Sequence, residues 1–253
     1  MKSPTDEHWD RRARSALDRR NVNIADVFQR ELEFDQVERF LTPEMRILEV
    51  GCGNGYSTER FRERVQHVDA FDYSEDMVAS ARRLVGEQNN QFFCDNLLDL
   101  QSIKGSYDLA VCVRVLINLA SFEEQVEAVE TLARVIRPGG RLILAEGFSE
   151  GFAELSELRE QVGLPPLVPA SINFYSSLRE FKPQLERLFR IDETFHLGAY
   201  DYLTRVAYPL SLGAAEVSHN TDSSRRFADL ARAFNGDGFE HLSRVRGFAC
   251  TRV

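Results

Sequence analysis

The chain has 253 residues, 43% of them hydrophobic and 28% charged, with a formal net charge of −9; that apolar content suffices for one α/β domain with a modest appendage. The acidic balance argues against nucleic acid or an anionic membrane as partner, and no run approaches the roughly 20 apolar residues of a membrane span. Met1 to Glu7 lacks the apolar core of a signal peptide, and Cys52, Cys94, Cys112 and Cys250 form no Cys-x-x-Cys pair, so a cytoplasmic protein with reduced cysteines and no metal site is expected.

From about Asp6 to Leu41 the pattern predicts helix, with Val22, Ile24, Val27, Phe28, Leu32, Phe34, Val37, Phe40 and Leu41 on one apolar face. Arg11, Arg12, Arg14, Arg19 and Arg20 are interleaved with Asp6, Glu7, Asp10 and Asp18, the pattern of a solvated helix face. After Thr42-Pro43 short β-branched runs alternate with amphipathic segments. Strands are predicted at Arg46 to Val50, His67 to Asp72, Asn90 to Cys94, Tyr107 to Val113 and Arg141 to Glu146. Helices are predicted at Ser57 to Val65, Asp76 to Glu87 and Phe122 to Val135. Such alternation implies a parallel sheet covered on both faces by right-handed crossovers. Beyond Gly147 the rhythm changes. Helices are predicted at Phe152 to Val162, Ser177 to Leu188 and Ser223 to Phe234, with strands at Phe189 to Leu197 and His241 to Val253.

The first strand runs into Gly51-Cys52-Gly53-Asn54-Gly55. A plain strand-to-helix turn needs only one glycine, whereas three let the backbone come close to a ligand. Tyr56 stands where a dinucleotide-binding loop carries its third glycine, and no Gly-Lys-Ser/Thr follows, which excludes a Walker loop. Glu49, just before the loop, suits a cationic aminoacyl sulfonium better than a pyrophosphate. Asp72 ends the second strand, about 20 positions on, where an acid can accept both ribose hydroxyls or merely start a turn. Asp95 and Asn96 follow the third strand; they fit an adenine amine or an Asx turn equally well.

Taken in order, Leu48 to Gly55, Asp72 with Ser74, Asp95, Tyr107 to Val113 and Arg134 to Leu142 resemble the class I S-adenosylmethionine-dependent methyltransferases. The resemblance implies a doubly wound, Rossmann-like α/β fold of seven strands, mostly parallel with a reversed last strand. It places the methionine moiety over Gly51, Cys52, Gly53, Asn54 and Gly55, ribose on Asp72, and adenine near Tyr73, Asp95, Asn96 and Leu97. Glu49, Ser74, Met77 and Val113 complete the expected contacts to S-adenosylmethionine and its product S-adenosylhomocysteine. Residues 1–42 are then a helical N-terminal segment, and residues 43–253 the methyltransferase domain. In that domain residues 43–147 form a cofactor half, and residues 148–240 supply acceptor and lid elements. A narrower likeness, in Arg114 to Leu119, Glu146-Gly147-Phe148 and Tyr200 to Arg205, is to bacterial small-molecule and sugar methyltransferases of surface-polysaccharide assembly.

Methyl transfer requires the acceptor beside the glycine loop, beyond the carboxyl ends of the strands. Arg114, Asn118, Glu146, His196, Tyr200 and Tyr202 are expected there. His196, Glu146 and, further along, His219 are candidate bases; Arg114 suits an anionic group or an ion pair with Glu146. The Pro-rich loop at 164–169 and the segment 198–238 are the expected lid, whose Phe174, Tyr175, Tyr200 and Tyr202 either stack on a sugar or belong to the core. No amino-methylating DNA signature, cysteine beside proline, or cluster of acids for a metal is present beyond Glu146 and Asp201. The predicted activity is O-methylation of a small molecule, a sugar, nucleotide-sugar or glycan precursor in first place. An NAD-type oxidoreductase and a non-catalytic adenosine-ligand subunit are the alternatives.

Overall fold

A computed structural model describes residues 4–15, 20, 24–213, 217–234 and 238–253. Val22, Asp18 and Arg19, all invoked for the N-terminal run, lie outside the described residues. Two helices precede the sheet, α1 (Pro4–Ser15) and α2 (Val27–Glu38). The single long helix expected is therefore divided. Asp26 starts the second piece by taking the Gln29 N–H on its carboxylate at 3.1 Å, as an N-cap does.

The strands are β1 (Arg46–Val50), β2 (His67–Asp72), β3 (Asn90–Cys94), β4 (Tyr107–Val113), β5 (Ile136–Gly147), β6 (Phe189–His196) and β7 (Val245–Arg252). They form one sheet in the order β3-β2-β1-β4-β5-β7-β6. β1 to β5 pair in parallel, while β7 runs antiparallel to both β5 and β6. This is the expected seven-stranded sheet with a reversed last strand. A dinucleotide-binding sheet of order 3-2-1-4-5-6 has no such reversed strand between its fifth and sixth, so the oxidoreductase alternative does not fit the topology.

The intervening helices are α3 (Tyr56–Phe61), α4 (Glu75–Val85), α5 (Phe122–Val135), α6 (Ser149–Gln161), α7 (Leu178–Glu186), α8 (Gly198–Tyr202), α9 (Tyr208–Leu212) and α10 (Asp222–Ala233). Ser74 and Ser121 cap α4 and α5 through the N–H groups of Met77 and Glu124. α3 is shorter than the predicted helix, and β5 begins five residues earlier than predicted, through Pro138-Gly139-Gly140. Side-chain alternation along the strands divides the core between two faces. Leu48, Ala110, Cys112 and Leu142 pack on Ala128, Leu132, Phe181 and Leu185 of α5 and α7. Ile47, Val68, Leu109 and Ile143 pack on the side that carries Phe34 and Val37 of α2 and Val78 and Ala81 of α4. Helix α2 is thus part of the main core. Among the described residues no helix is long and apolar enough to cross a membrane.

Candidate active site at the carboxyl edge of the sheet

Strand β1 ends in a loop whose Gly51, Gly53 and Gly55 have φ of 67°, 54° and 77°, a left-handed conformation that side chains other than glycine's resist. The loop is tied to β2 from both sides. Cys52 N–H donates to Phe71 O at 3.0 Å, and Gly53 N–H donates to Asp72 Oδ2 at 2.9 Å. Asp72 Oδ1 accepts the Ser74 N–H at 3.0 Å, and the Tyr73 N–H also bears on this carboxylate. Burial pushes the Asp72 carboxyl up to about 6. Asn54 is buried in the turn, its Oδ1 accepting the Tyr56 N–H at 3.3 Å. The Cys52 thiol is buried and raised well above its ordinary range. Glu49 does not point out at the ligand side of the loop: its carboxylate accepts the hydroxyls of Ser57 and Thr58 at the start of α3. Burial raises it to about 7.

On the β2–β3 side, Met77 is buried beneath the start of α4, and Leu97 is buried in the loop after β3. Asp95 departs from expectation. Its Oδ1 accepts the N–H groups of Asn96 and Gln101, and its Oδ2 those of Ser102 and Ile103. Four donors fill a carboxylate, so Asp95 organises residues 95–103 and has no acceptor left for an adenine amine. Asn96 Oδ1 likewise caps the Leu98 N–H at 3.0 Å. Helix α1 lies across this edge. Ser74 Oγ donates to buried Asp10 Oδ1 at 2.8 Å, and the Tyr73 hydroxyl donates to Thr5 O at 3.1 Å. Asp10, expected on a solvated face, therefore points inward beside Asp72, while Arg11 is exposed.

At the acceptor end, Val113 closes β4 and Arg114 turns the chain with φ 58°. Val115 then abuts the glycine loop: a methyl group on Gly51 would sit 2.5 Å from Val115 Cγ2. Glu146 is buried at the end of β5, and its carboxylate accepts the N–H groups of Val115 at 2.7 Å, Leu116 at 2.8 Å and Ile117 at 3.4 Å. It holds the 3₁₀ turn Leu116–Asn118 in place, with its carboxyl raised by burial to about 7. Glu146 is thus held by the backbone rather than free, with only the Ile117 N–H on its Oε2. The expectation for Tyr200 is corrected, because its fully buried hydroxyl donates to Asp26 Oδ1 at 2.8 Å and its ring packs with Leu32, Leu197 and Ala228. His196 ends β6, three strands from β4 and so about 14 Å across the sheet, with Nδ1 accepting the Gly198 N–H at 3.2 Å. His219 lies 3.4 Å from Asp26 Oδ2.

Arg114 pairs with an acid that sequence reasoning missed. Its Nη1 is 3.7 Å from Glu33 Oε1, and Gln29 Nε2 donates to the same oxygen at 3.0 Å. Gln29 Oε1 in turn accepts from Arg244 Nη2 at 3.0 Å, and Arg244 is held by Asp201 at 2.6 Å. Gln29, Arg30 and Glu33 are all buried on α2. Gln29 and Glu33, at i and i+4 beside Phe28, Leu32 and Phe34, were the available signal. Arg30 is so deeply buried that its guanidinium falls to about 10, and it lies 4.7 Å from the centre of the Tyr56 ring. Asn118 Nδ2 donates to Arg114 O at 2.9 Å, whereas its buried Oδ1 has no donor among the described residues. Tyr175 flanks this end, its ring 2.7 Å from where a methyl on Gly147 would sit.

Residues 47–140 match the family model described as a methyltransferase domain. The chain is 27% identical over 171 residues to the malonyl-[acyl-carrier protein] O-methyltransferase of Bacillus anthracis, a match covering 64% of this chain and 59% of that one. It is 29% identical over 133 residues to the demethylmenaquinone methyltransferase of Clavibacter sepedonicus, covering 52% and 53%. The matches thus span little more than half the length of these relatives. The solved N-methyltransferase NodS of Bradyrhizobium japonicum, in complex with S-adenosylhomocysteine, superposes with a TM-score of 0.61 at 14% identity over 99% of this chain and 98% of that one. Magnesium protoporphyrin IX methyltransferase of Synechocystis, also with bound S-adenosylhomocysteine, gives 0.60 at 18% identity over 98% and 94%. At those identities the likeness shows the fold.

Sheet order and glycine loop are those of the class I methyltransferase fold, and residues 47–140 match a methyltransferase domain, the class that uses S-adenosylmethionine. The residues present fit that cofactor: the left-handed glycines open the backbone to it, and the carboxylate of Asp72, tied to Gly53 and Ser74, stands beside the loop where a ribose diol needs an acceptor.

Proposed function

We propose that this chain O-methylates a small, hydroxyl-rich molecule, a sugar or glycan precursor, bound over the ends of β4, β5 and β7. The observation that carries this reading is the partly satisfied polar group at that end, Arg114, Glu33 and Asn118, with the Asn118 Oδ1 acceptor buried and lacking a donor. Buried polar atoms in native structures have partners, and a sugar hydroxyl donates to an amide or carboxylate oxygen while accepting from a guanidinium. The Tyr175 ring lies against Gly147 at that end. The O-methyltransferase among the relatives is in keeping with an oxygen acceptor.

S-adenosylmethionine, when bound, supplies a methyl carbon activated by the sulfonium. The protein's own part is alignment and exclusion of water. Val115 fixes the acceptor end against Gly51, and Glu146 fixes Val115 by holding its N–H. Segments 170–177 and 198–212 supply the cover, Tyr175 from the first and Asp201, through Arg244, from the second.

The test is incubation with methyl-labelled S-adenosylmethionine and fractionated nucleotide-sugar pools. Label is expected in a nucleotide-sugar or sugar fraction. Label confined to quinone or acyl-carrier fractions overturns the sugar assignment. Tight binding of S-adenosylhomocysteine with no transfer to any pool would favour the non-catalytic alternative.

A further inference from the structure

The proton acceptors expected from the sequence stand elsewhere: Glu146 holds three backbone N–H groups, His219 pairs with Asp26, and His196 lies at the far edge of the sheet. Glu33 differs from them in place and in bonding. Its Oε1 holds Gln29 and faces Arg114, while among the described residues its Oε2 accepts no hydrogen bond. Arg114 adjoins Val115, which touches the glycine loop, so the carboxylate stands one arginine side chain from the expected methyl donor. Helix α2 brings it there through Phe34 and Val37, the apolar neighbours that anchor the helix in the main core.

We propose that Glu33 is the general base that takes the proton of the acceptor hydroxyl. The inference rests on the O-methylation reading above. As the acceptor oxygen bonds to the methyl carbon, the carbon–sulfur bond breaks with its electron pair going to sulfur. The hydroxyl proton passes to Glu33, which returns it to water after product leaves. The charged groups facing Glu33 are Arg30 on its own helix, Arg114 just after β4 and Arg244 just before β7. Glu146 faces Arg114 from behind. Burial outweighs the three guanidinium groups and holds the Glu33 carboxyl above the ordinary range. A base so placed loses its proton acceptor on acidification, and general-base catalysis contributes on the order of 100-fold or more.

The Glu33→Gln variant keeps shape and can still pair with Gln29, so the fold is retained. With the nucleotide-sugar pool and labelled S-adenosylmethionine, kcat is expected to fall at least about 100-fold, and the acidic limb of the kcat profile is expected to vanish. Calorimetric affinity for S-adenosylhomocysteine should stay within about twofold, and Glu33→Asp should recover part of the rate. Retention of kcat within about threefold, or of the acidic limb, overturns the proposal while leaving the methyl-transfer reading intact. A second readout needs no acceptor. In the wild-type minus Glu33→Gln infrared difference spectrum, with S-adenosylhomocysteine bound, a protonated-carboxyl band should titrate above the usual range for glutamate. A midpoint within that range overturns the assignment even if the wild type methylates nothing in the pool, an outcome that would overturn the sugar reading separately.

Discussion

One carboxylate at the end of β5 holds three consecutive backbone N–H groups, those of Val115, Leu116 and Ile117. Removing it strands buried donors, each worth about 1–3 kcal/mol when left unpaired. Glu146→Ala should therefore lower stability by about 2 kcal/mol or more, read as a shifted urea midpoint. Glu146→Gln should cost much less, because one amide oxygen can serve Val115 and Leu116, which share Oε1. An unchanged midpoint in the alanine variant refutes the positioning role. For Asp72 we propose a role on the ligand instead. Asp72→Ala should weaken S-adenosylhomocysteine binding more than tenfold, about 1.4 kcal/mol, in a calorimetric titration; equal affinities would remove the ribose assignment. Asp72 was legible because strand, acid and glycine loop follow one another in order. Glu33 was not, because Phe28, Leu32 and Phe34 mark α2 as a core helix and only the fold shows that Gln29, Arg30 and Glu33 face the ends of the strands.

At the scale of elements, the N-terminal helices carry more of the site than their sequence suggests. The charge pattern of α1 reads as a solvated face, yet Asp10 is buried against Ser74 and Thr5 O accepts the Tyr73 hydroxyl. Helix α1 thus covers the edge where adenosine is expected. Asp10→Ala should speed hydrogen exchange across residues 4–15 and raise the dissociation rate of S-adenosylhomocysteine several-fold, measured by stopped-flow fluorescence or surface plasmon resonance. Dissociation at the wild-type rate, with α1 exchange accelerated, would separate the helix from cofactor retention. Strands β1 to β4 and helix α5 keep their predicted bounds, since β-branched runs and Ser121 with Glu124 encode them locally. The segment at 198–238, of which 214–216 and 235–237 lie outside the described residues, reads as lid, but Tyr200 within it is core, because burial depends on packing with Leu32 and Ala228 from distant parts of the chain.

For the whole molecule, buried carboxyls with raised proton affinity, Glu33 among them, set the response to pH near neutrality. Glu49 and Glu146 rise to about 7, and Asp72 to about 6, all through burial. In each case the folded state binds a proton more tightly than the unfolded chain does. Their stabilising contribution is complete below about pH 4 and is lost as pH rises through 6 and 7. Glu150, lowered to about 2 by the N–H groups of Leu178 and Arg179 and the Ser177 hydroxyl, acts only at more acidic pH. The thermal midpoint should fall by about 3 °C or more between pH 5.5 and 8, and Glu49→Gln should flatten that slope; a midpoint that rises over this interval contradicts the burial of these acids.

Taken by itself, the sequence determined the order of strands and helices, the glycine loop, Asp72 and hence the cofactor class. All of these are written in local patterns: side-chain periodicity, glycines in the left-handed region, an acid at a strand end. Tertiary structure decided which polar groups are free to do chemistry. Glu146, Asp95 and Tyr200 have suitable chemistry and suitable places in the chain, but each is filled by partners between one and 174 residues away. Glu33 faces the acceptor end because α2 packs beside β1 and β4 through Phe34 and Val37, and such long-range packing leaves no mark in the spacing of neighbouring residues.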